Sequence, residues 1–147
     1  MRRLVYASAS SAALTSAELD EIASQARKNN AADDVTGLLL YGDHSFFQVL
    51  EGPTDRIEKL KQRIWNDPRH RGISSLQDKV IDTATFSEWS MGCYRVDAAS
   101  SSSELWIIAD FTSIQNHLPE NTPPEILVLA RTFFSSISPR SMMPGTR

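Results

Sequence analysis

The chain has 147 residues, which fits one domain with a short appendage and is enough to bury a core without disulfides or metals. Hydrophobic residues make up 41% and charged residues 22%, with a formal net charge of -3, so neither a nucleic-acid nor an anionic-membrane surface is indicated. One cysteine, Cys93, excludes an internal disulfide. No apolar run approaches the ~18 residues of a membrane span, and the stretch after Met1-Arg2-Arg3 turns polar too soon for a signal-peptide core, so a cytoplasmic protein is expected.

Residues 2–8 alternate and are rich in β formers, which predicts a strand ended by the serines at Ser8–Ser11. Thr15 and Glu18 have capping-box spacing, and Leu19, Ile22, Ala23 and Ala26 form an apolar stripe, so a helix runs from there to about Asn30. Val35–Tyr41 and Phe46–Glu51 are apolar runs joined by Gly42-Asp43-His44-Ser45, a hairpin. Thr54 is placed to cap a second helix with Ile57, Leu60 and Ile64 inward, ended by Asp67-Pro68. Ile73–Thr83 and Met91–Val96 read as two more strands.

The order β-α-β-β-α-β-β predicts an α+β fold: a ferredoxin-like split βαβ with an extra strand and both helices on one face. Residues 1–96 would form this domain. Residues 97–103, with four consecutive serines, read as a linker. Residues 104–147 would be a helical extension, with helices over Glu104–His117 and Pro124–Ile137 and frayed ends from Ser138. The segment is too short for a cyclase or phosphodiesterase.

Gln48 is the most informative polar residue. Phe46, Gln48 and Leu50 share one face of a strand. If that face is buried the amide needs partners, since an unpaired one costs roughly 1–3 kcal/mol; if it faces solvent, Gln48 needs no explanation. Tyr6 shares a face with Leu4 and Ser8. Its hydroxyl could meet Gln48 or a backbone carbonyl. Asn29 and Asn30 could end a helix or read a heterocycle edge. Trp89 and Met91 share a face if extended, as core residues often do. Arg63, Arg69 and Arg71 around Asp67-Pro68 and His70 could hold an anionic or carbonyl-rich ligand, or form a solvated helix end. The three histidines and Cys93 show no metal-ligand spacing, and no phosphate loop or nucleophilic triad is evident.

Taken together, the chain resembles the BLUF family of blue-light sensors using FAD. The resemblance rests on Leu4-Val5-Tyr6-Ala7-Ser8, Asn29-Asn30 with Val35-Thr36-Gly37-Leu38-Leu39, Phe47-Gln48-Val49-Leu50-Glu51-Gly52, Asp67-Pro68-Arg69-His70, and Phe86-Ser87-Glu88-Trp89-Ser90-Met91. It implies FAD as cofactor, with FMN the alternative. It also implies that Tyr6 gives an electron and a proton to the excited flavin and that Gln48 bridges Tyr6 and the flavin. Asn30, Asn29, Ile22, Arg63, Ile64, Asp67 and His70 would bind the flavin, and Trp89 and Met91 would relay the signal to the C-terminal helices. Those helices would cover the opposite sheet face. A separate effector protein and homo-oligomerisation are implied as the means of output, with no enzymatic activity in the chain itself. The competing readings are a flavin-dependent oxidoreductase and a ferredoxin-like enzyme or ligand-binding regulator without flavin.

Overall fold

The computed structural model describes residues 1–10, 14–87, 91–95, 106–108 and 110–137. The chain runs β1 (Arg2–Ser10), α1 (Ser16–Ala32), β2 (Thr36–Gly42), β3 (Ser45–Gly52), α2 (Thr54–Trp65), β4 (His70–Val80), β5 (Gly92–Arg95), β6 (Ile107–Ile108), α3 (Phe111–His117) and α4 (Pro124–Ile137). The strands form one sheet in the order β4-β1-β3-β2-β5-β6. The first four strands are antiparallel to their neighbours, and β5 and β6 add in parallel. This is the expected ferredoxin-like arrangement, with β5 and then β6 extending the β2 edge.

Both faces of the sheet are covered. Leu4, Tyr6, Phe46 and Leu50 pack with Leu19 and Ala23 of α1 and Ile57 and Leu60 of α2. Their strand neighbours Val5, Phe47 and Val49 point the other way, onto Ile114, Ile126, Ala130 and Phe133 of α3 and α4. Near-continuous apolar strands are what a sheet buried on both sides requires. The C-terminal helices therefore lie on the face expected for them.

Local signals explain most boundaries. Thr15 Oγ1 accepts from Glu18 N at 3.1 Å and Glu18 Oε1 accepts from Thr15 N at 3.0 Å, a reciprocal cap. Helix α1 passes Asn30 and closes with Asp34 in the left-handed region (φ 57°), Val35 N donating to Asn30 O at 2.9 Å. The β2–β3 turn has two central residues, Asp43 (φ 48°) and His44 (φ 63°), the left-handed pair that matches strand twist. At Gly37 a Cβ would lie 1.9 Å from the Val49 carbonyl oxygen, so only glycine permits this pairing.

Several expectations shift. Strand β1 continues to Ser10, whose N–H donates to His44 O at 2.8 Å, so the serines extend the strand. Pro53, without a side-chain cap bond, is the N-cap of α2, and Thr54 is its first residue. Strand β4 spans His70–Val80 instead of Ile73–Thr83 because its length follows β1, from Ser10 opposite His70 to Arg2 opposite Val80. The helix expected over Glu104–His117 is shorter. Ile107 and Ile108 pair with β5, and Asp110, accepting from Ser113 N at 2.8 Å, starts α3 at Phe111. The 97–103 linker, Glu104, Val96 and the ends from Ser138 lie outside the described residues.

Candidate functional site

A cavity of about 470 Å³ opens between α1, α2 and the sheet, within the range of small-molecule sites. Its walls include Tyr6, Ile22, Asn29, Asn30, Gln48, Arg63, Ile64, Asp67 and His70, so the structure gathers these candidates around one space. Met91 stands behind Gln48, while Trp89 lies outside the described residues.

The deep end is built from strand register. Tyr6 is opposite Gln48 across β1–β3, and Leu39 is opposite Gln48 across β2–β3. Gln48 is 6% exposed. The Tyr6 hydroxyl donates to Gln48 Oε1, and Gln48 Nε2 approaches Met91 Sδ at 3.8 Å. Burial, then the charge of Asp67, holds the Tyr6 phenol well above the usual tyrosine range, so it keeps its proton at neutral pH. Trp65 meets the Tyr6 ring edge-on at 5.5 Å and His70 does so at 6.0 Å.

Helix α1 supplies one wall. Ile22, Gln25, Ala26, Asn29 and Asn30 fall three, four, seven and eight residues apart from the first, one helical face. Asn30 is 2% exposed. Asp33 and Asp34 close the helix, with Asp33 N and Val35 N donating to the Asn30 carbonyl oxygen, and the Asn30 side chain belongs to the cavity wall.

The mouth lies at the end of α2. Arg69 grips Asp67 through Nη2–Oδ2 at 2.7 Å and Nε–Oδ1 at 3.1 Å, which holds the Asp67 carboxyl below its ordinary range. His70 Nδ1 is 2.7 Å from Ser8 Oγ. Burial, aided by the Arg69 charge and opposed by Asp67, lowers the His70 pKa, so the ring is neutral at pH 7. Arg63 and Asn66 complete the exposed rim. The arginine cluster thus divides: Arg63 and Arg69 line the cavity, while Arg71 is not part of its wall.

Gln25, Ala26, Leu39, Phe46, Leu50, Leu60 and Asn66 line the cavity without having been singled out for it. Helical spacing from Ile22 and Asn29 gives the first two. Alternation with Gln48 gives Phe46 and Leu50. Leu39 depends on cross-strand register, and Asn66 on how α2 ends.

Apolar side walls, amides that both donate and accept at the closed end, and cations at the rim suit a planar heterocycle with one polar edge and an anionic tail. Comparison with known proteins identifies the heterocycle. The family model for BLUF, sensors of blue-light using FAD, matches residues 1–92. The chain belongs to the BLUF family. It is a flavin-binding blue-light photoreceptor, and the matched region serves sensing, not catalysis. Photoactivated adenylate cyclase subunit beta of Euglena gracilis is 26% identical over 96% of this chain, but the chain spans only 16% of that relative. A bacterial light-regulated adenylyl cyclase structure shares 33% identity and a TM-score of 0.60, covering 80% of this chain and 32% of its own. BlsA in its photo-activated state shares 28% identity and a TM-score of 0.63, covering 92% of this chain and 93% of its own. BLUF units thus occur both joined to cyclases and in chains of about this length. Among the described residues, no group of three or more His, Cys, Asp or Glu is placed to hold a metal ion, and no helix is long and apolar enough to cross a membrane.

Proposed function

We propose that Tyr6 and Gln48 are the light switch of this BLUF sensor, and that its flavin is FAD. Ile22, Asn29, Asn30, Arg63, Ile64, Asp67 and His70 would hold that flavin. The observation that carries this reading is the buried Tyr6 hydroxyl donating to Gln48 Oε1 at the closed end of the cavity. The bound flavin supplies blue-light absorption and, when excited, a strong oxidant.

Everything else is done by side chains of the chain. Asn30 and Asn29 orient the heterocycle through amides that match donors and acceptors on its edge. Ile22 and Ile64 exclude water from its faces. Arg63 at the rim favours an anionic tail, which both FAD and FMN carry; the family description, sensors of blue-light using FAD, supports choosing FAD.

Tyr6 is the electron donor. It is held protonated, and its proton already points at Gln48 Oε1, so loss of an electron drives that proton onto Gln48. Gln48 then rotates or tautomerises, exchanging the donor and acceptor it presents to the cavity. Return of the electron and proton to Tyr6 restores its phenol but need not restore the amide. The signal is the altered hydrogen-bond pattern, with no net chemistry. It passes from Gln48 to Met91, whose sulfur the amide touches, and along β5 to β6, α3 and α4. Trp89 is assigned to the same relay. The output is an altered grip on a separate effector protein or on a second copy of the chain, in the cytoplasm.

The test is the Tyr6→Phe variant. It is expected to retain flavin at wild-type stoichiometry and to lose the light-induced red shift of the flavin band. A full, reversible shift in this variant would overturn the assignment of Tyr6. Chromatography of the released cofactor decides between FAD and FMN.

A further inference from the structure

Arg27 lies on α1 beside the cavity-lining stripe but is not part of the cavity wall. Its Nε donates to the Met91 carbonyl oxygen at 3.1 Å, part-buried. The same guanidinium faces the Cys93 thiol: burial pushes that thiol up to about 11, and Arg27 opposes the rise. Met91 and Cys93 are two residues apart and belong to the same buried cluster under α1 and α2. One cation on the flavin-side helix therefore spans the entry of β5.

Met91 also touches the switch. Its Sδ is 3.8 Å from Gln48 Nε2. A thioether is a weak acceptor on a side chain with three rotatable bonds, so this contact cannot hold itself in place. The backbone bond from Arg27 is charge-assisted and stronger. It fixes the point from which the Met91 side chain swings.

We propose that Arg27 is a positioning residue for the switch: by clamping the Met91 carbonyl it holds Met91 Sδ against Gln48 Nε2 and so favours the resting orientation of the amide. The proposal rests on the Tyr6–Gln48 reading. Its consequence is kinetic. Without the clamp the resting amide loses a partner, and the switched amide returns more slowly in the dark.

The test uses the full chain with Arg27→Ala, Arg27→Lys, Met91→Ala and the Arg27→Ala/Met91→Ala double variant. In flavin-loaded protein, the amplitude and dark recovery of the red shift are measured. In flavin-free protein, the Met91 methyl resonance is followed after methyl-labelling, with Met91→Leu for assignment. Arg27→Ala is expected to keep the amplitude and slow recovery on the order of tenfold, the effect of one lost charge-assisted bond. Arg27→Lys is expected to fall nearer wild type, since an ammonium can donate to the same carbonyl. The double variant is expected to recover at the rate of Met91→Ala alone, because Arg27 acts through Met91. The Met91 methyl resonance is expected to move in Arg27→Ala. If Arg27→Ala does not fold, Arg27→Gln, which keeps a donor but drops the charge, is expected to slow recovery likewise.

Unchanged or faster recovery, effects that multiply in the double variant, or an unmoved Met91 resonance would each overturn the clamp. Absence of any red shift in the wild-type protein would instead overturn the Tyr6–Gln48 reading, and the flavin-free resonance would still decide the clamp.

Discussion

Gln48 presents its two ends to two neighbours, Oε1 to the Tyr6 hydroxyl and Nε2 to Met91 Sδ. A carbonyl oxygen alone could accept from Tyr6, but an amide can also exchange donor for acceptor while staying neutral. Asn30 is the complementary case in the proposed site, a buried amide that would orient the flavin without switching. Asn30→Ala is expected to raise the flavin dissociation constant roughly tenfold or more, the scale of a lost buried hydrogen bond. Equilibrium titration of the flavin-free protein checks this, and an unchanged affinity would remove Asn30 from the flavin contacts. The sequence exposed these residues unevenly. Alternation put Gln48 on the face of Phe46 and Leu50 but left open whether that face met solvent. The answer lay in long-range packing, since it needed helices on both sides of the sheet. The Tyr6 partner was a choice between Gln48 and a backbone carbonyl, settled only by the register of β1 on β3. Arg69 looked like part of a solvated cluster because its bond to Asp67 depends on the turn after α2.

At the scale of elements, β3 carries opposite jobs on its two faces. Gln48 faces the cavity. Glu51, 1% exposed, faces the other way and pairs with Arg3 Nε at 2.9 Å. Its second oxygen accepts from Thr85 N at 2.6 Å and Phe86 N at 3.1 Å, pinning the segment that leads toward Met91. Glu51→Gln keeps an acceptor for those amides but leaves Arg3 charged and buried. It is expected to cost about 3–5 kcal/mol in urea unfolding, the scale of a broken buried pair. A loss under ~1 kcal/mol would mean that the other bonds of Arg3, to Gln77 Oε1 at 3.2 Å and Thr85 Oγ1 at 3.3 Å, are enough to hold it. Trp106 is the counterpart beyond β5. Its Nε1 donates to Leu19 O at 3.0 Å, tying the C-terminal segment to α1 on the cavity side. That contact was not legible, because Glu104–His117 has a helical look while Trp106-Ile107-Ile108 are also good strand formers. The free edge of β5 decided between the two. The helix expected over Pro124–Ile137 has those bounds in the structure.

Among the described residues, the sheet lies between the α1–α2 layer that walls the cavity and the α3–α4 layer, and the proposed signal would pass from the first to the second by way of Met91 and β5. Its stability carries a pH signature. Asp67 and Asp78 titrate below their ordinary range, Asp78 at about 2 because Arg2 and Lys61 hydrogen-bond it. His70 titrates below its usual 6.5 because it is buried. Each binds a proton more readily unfolded than folded, so each destabilises the fold as pH falls. The urea midpoint is expected to begin dropping below pH 6.5 as unfolded His70 protonates, and to fall again from about pH 4 toward 2 with the two aspartates. His70→Gln is expected to remove the first step; if the step persists, it belongs to another group. The central claim concerns the switch. Its most direct test is the light-minus-dark absorption spectrum of the wild-type protein beside Gln48→Leu. The account predicts a small red shift of the flavin band in the wild type that reverses in the dark, and flavin bound without that shift in Gln48→Leu. A full reversible shift in Gln48→Leu, or bleaching in place of a shift in the wild type, would contradict it.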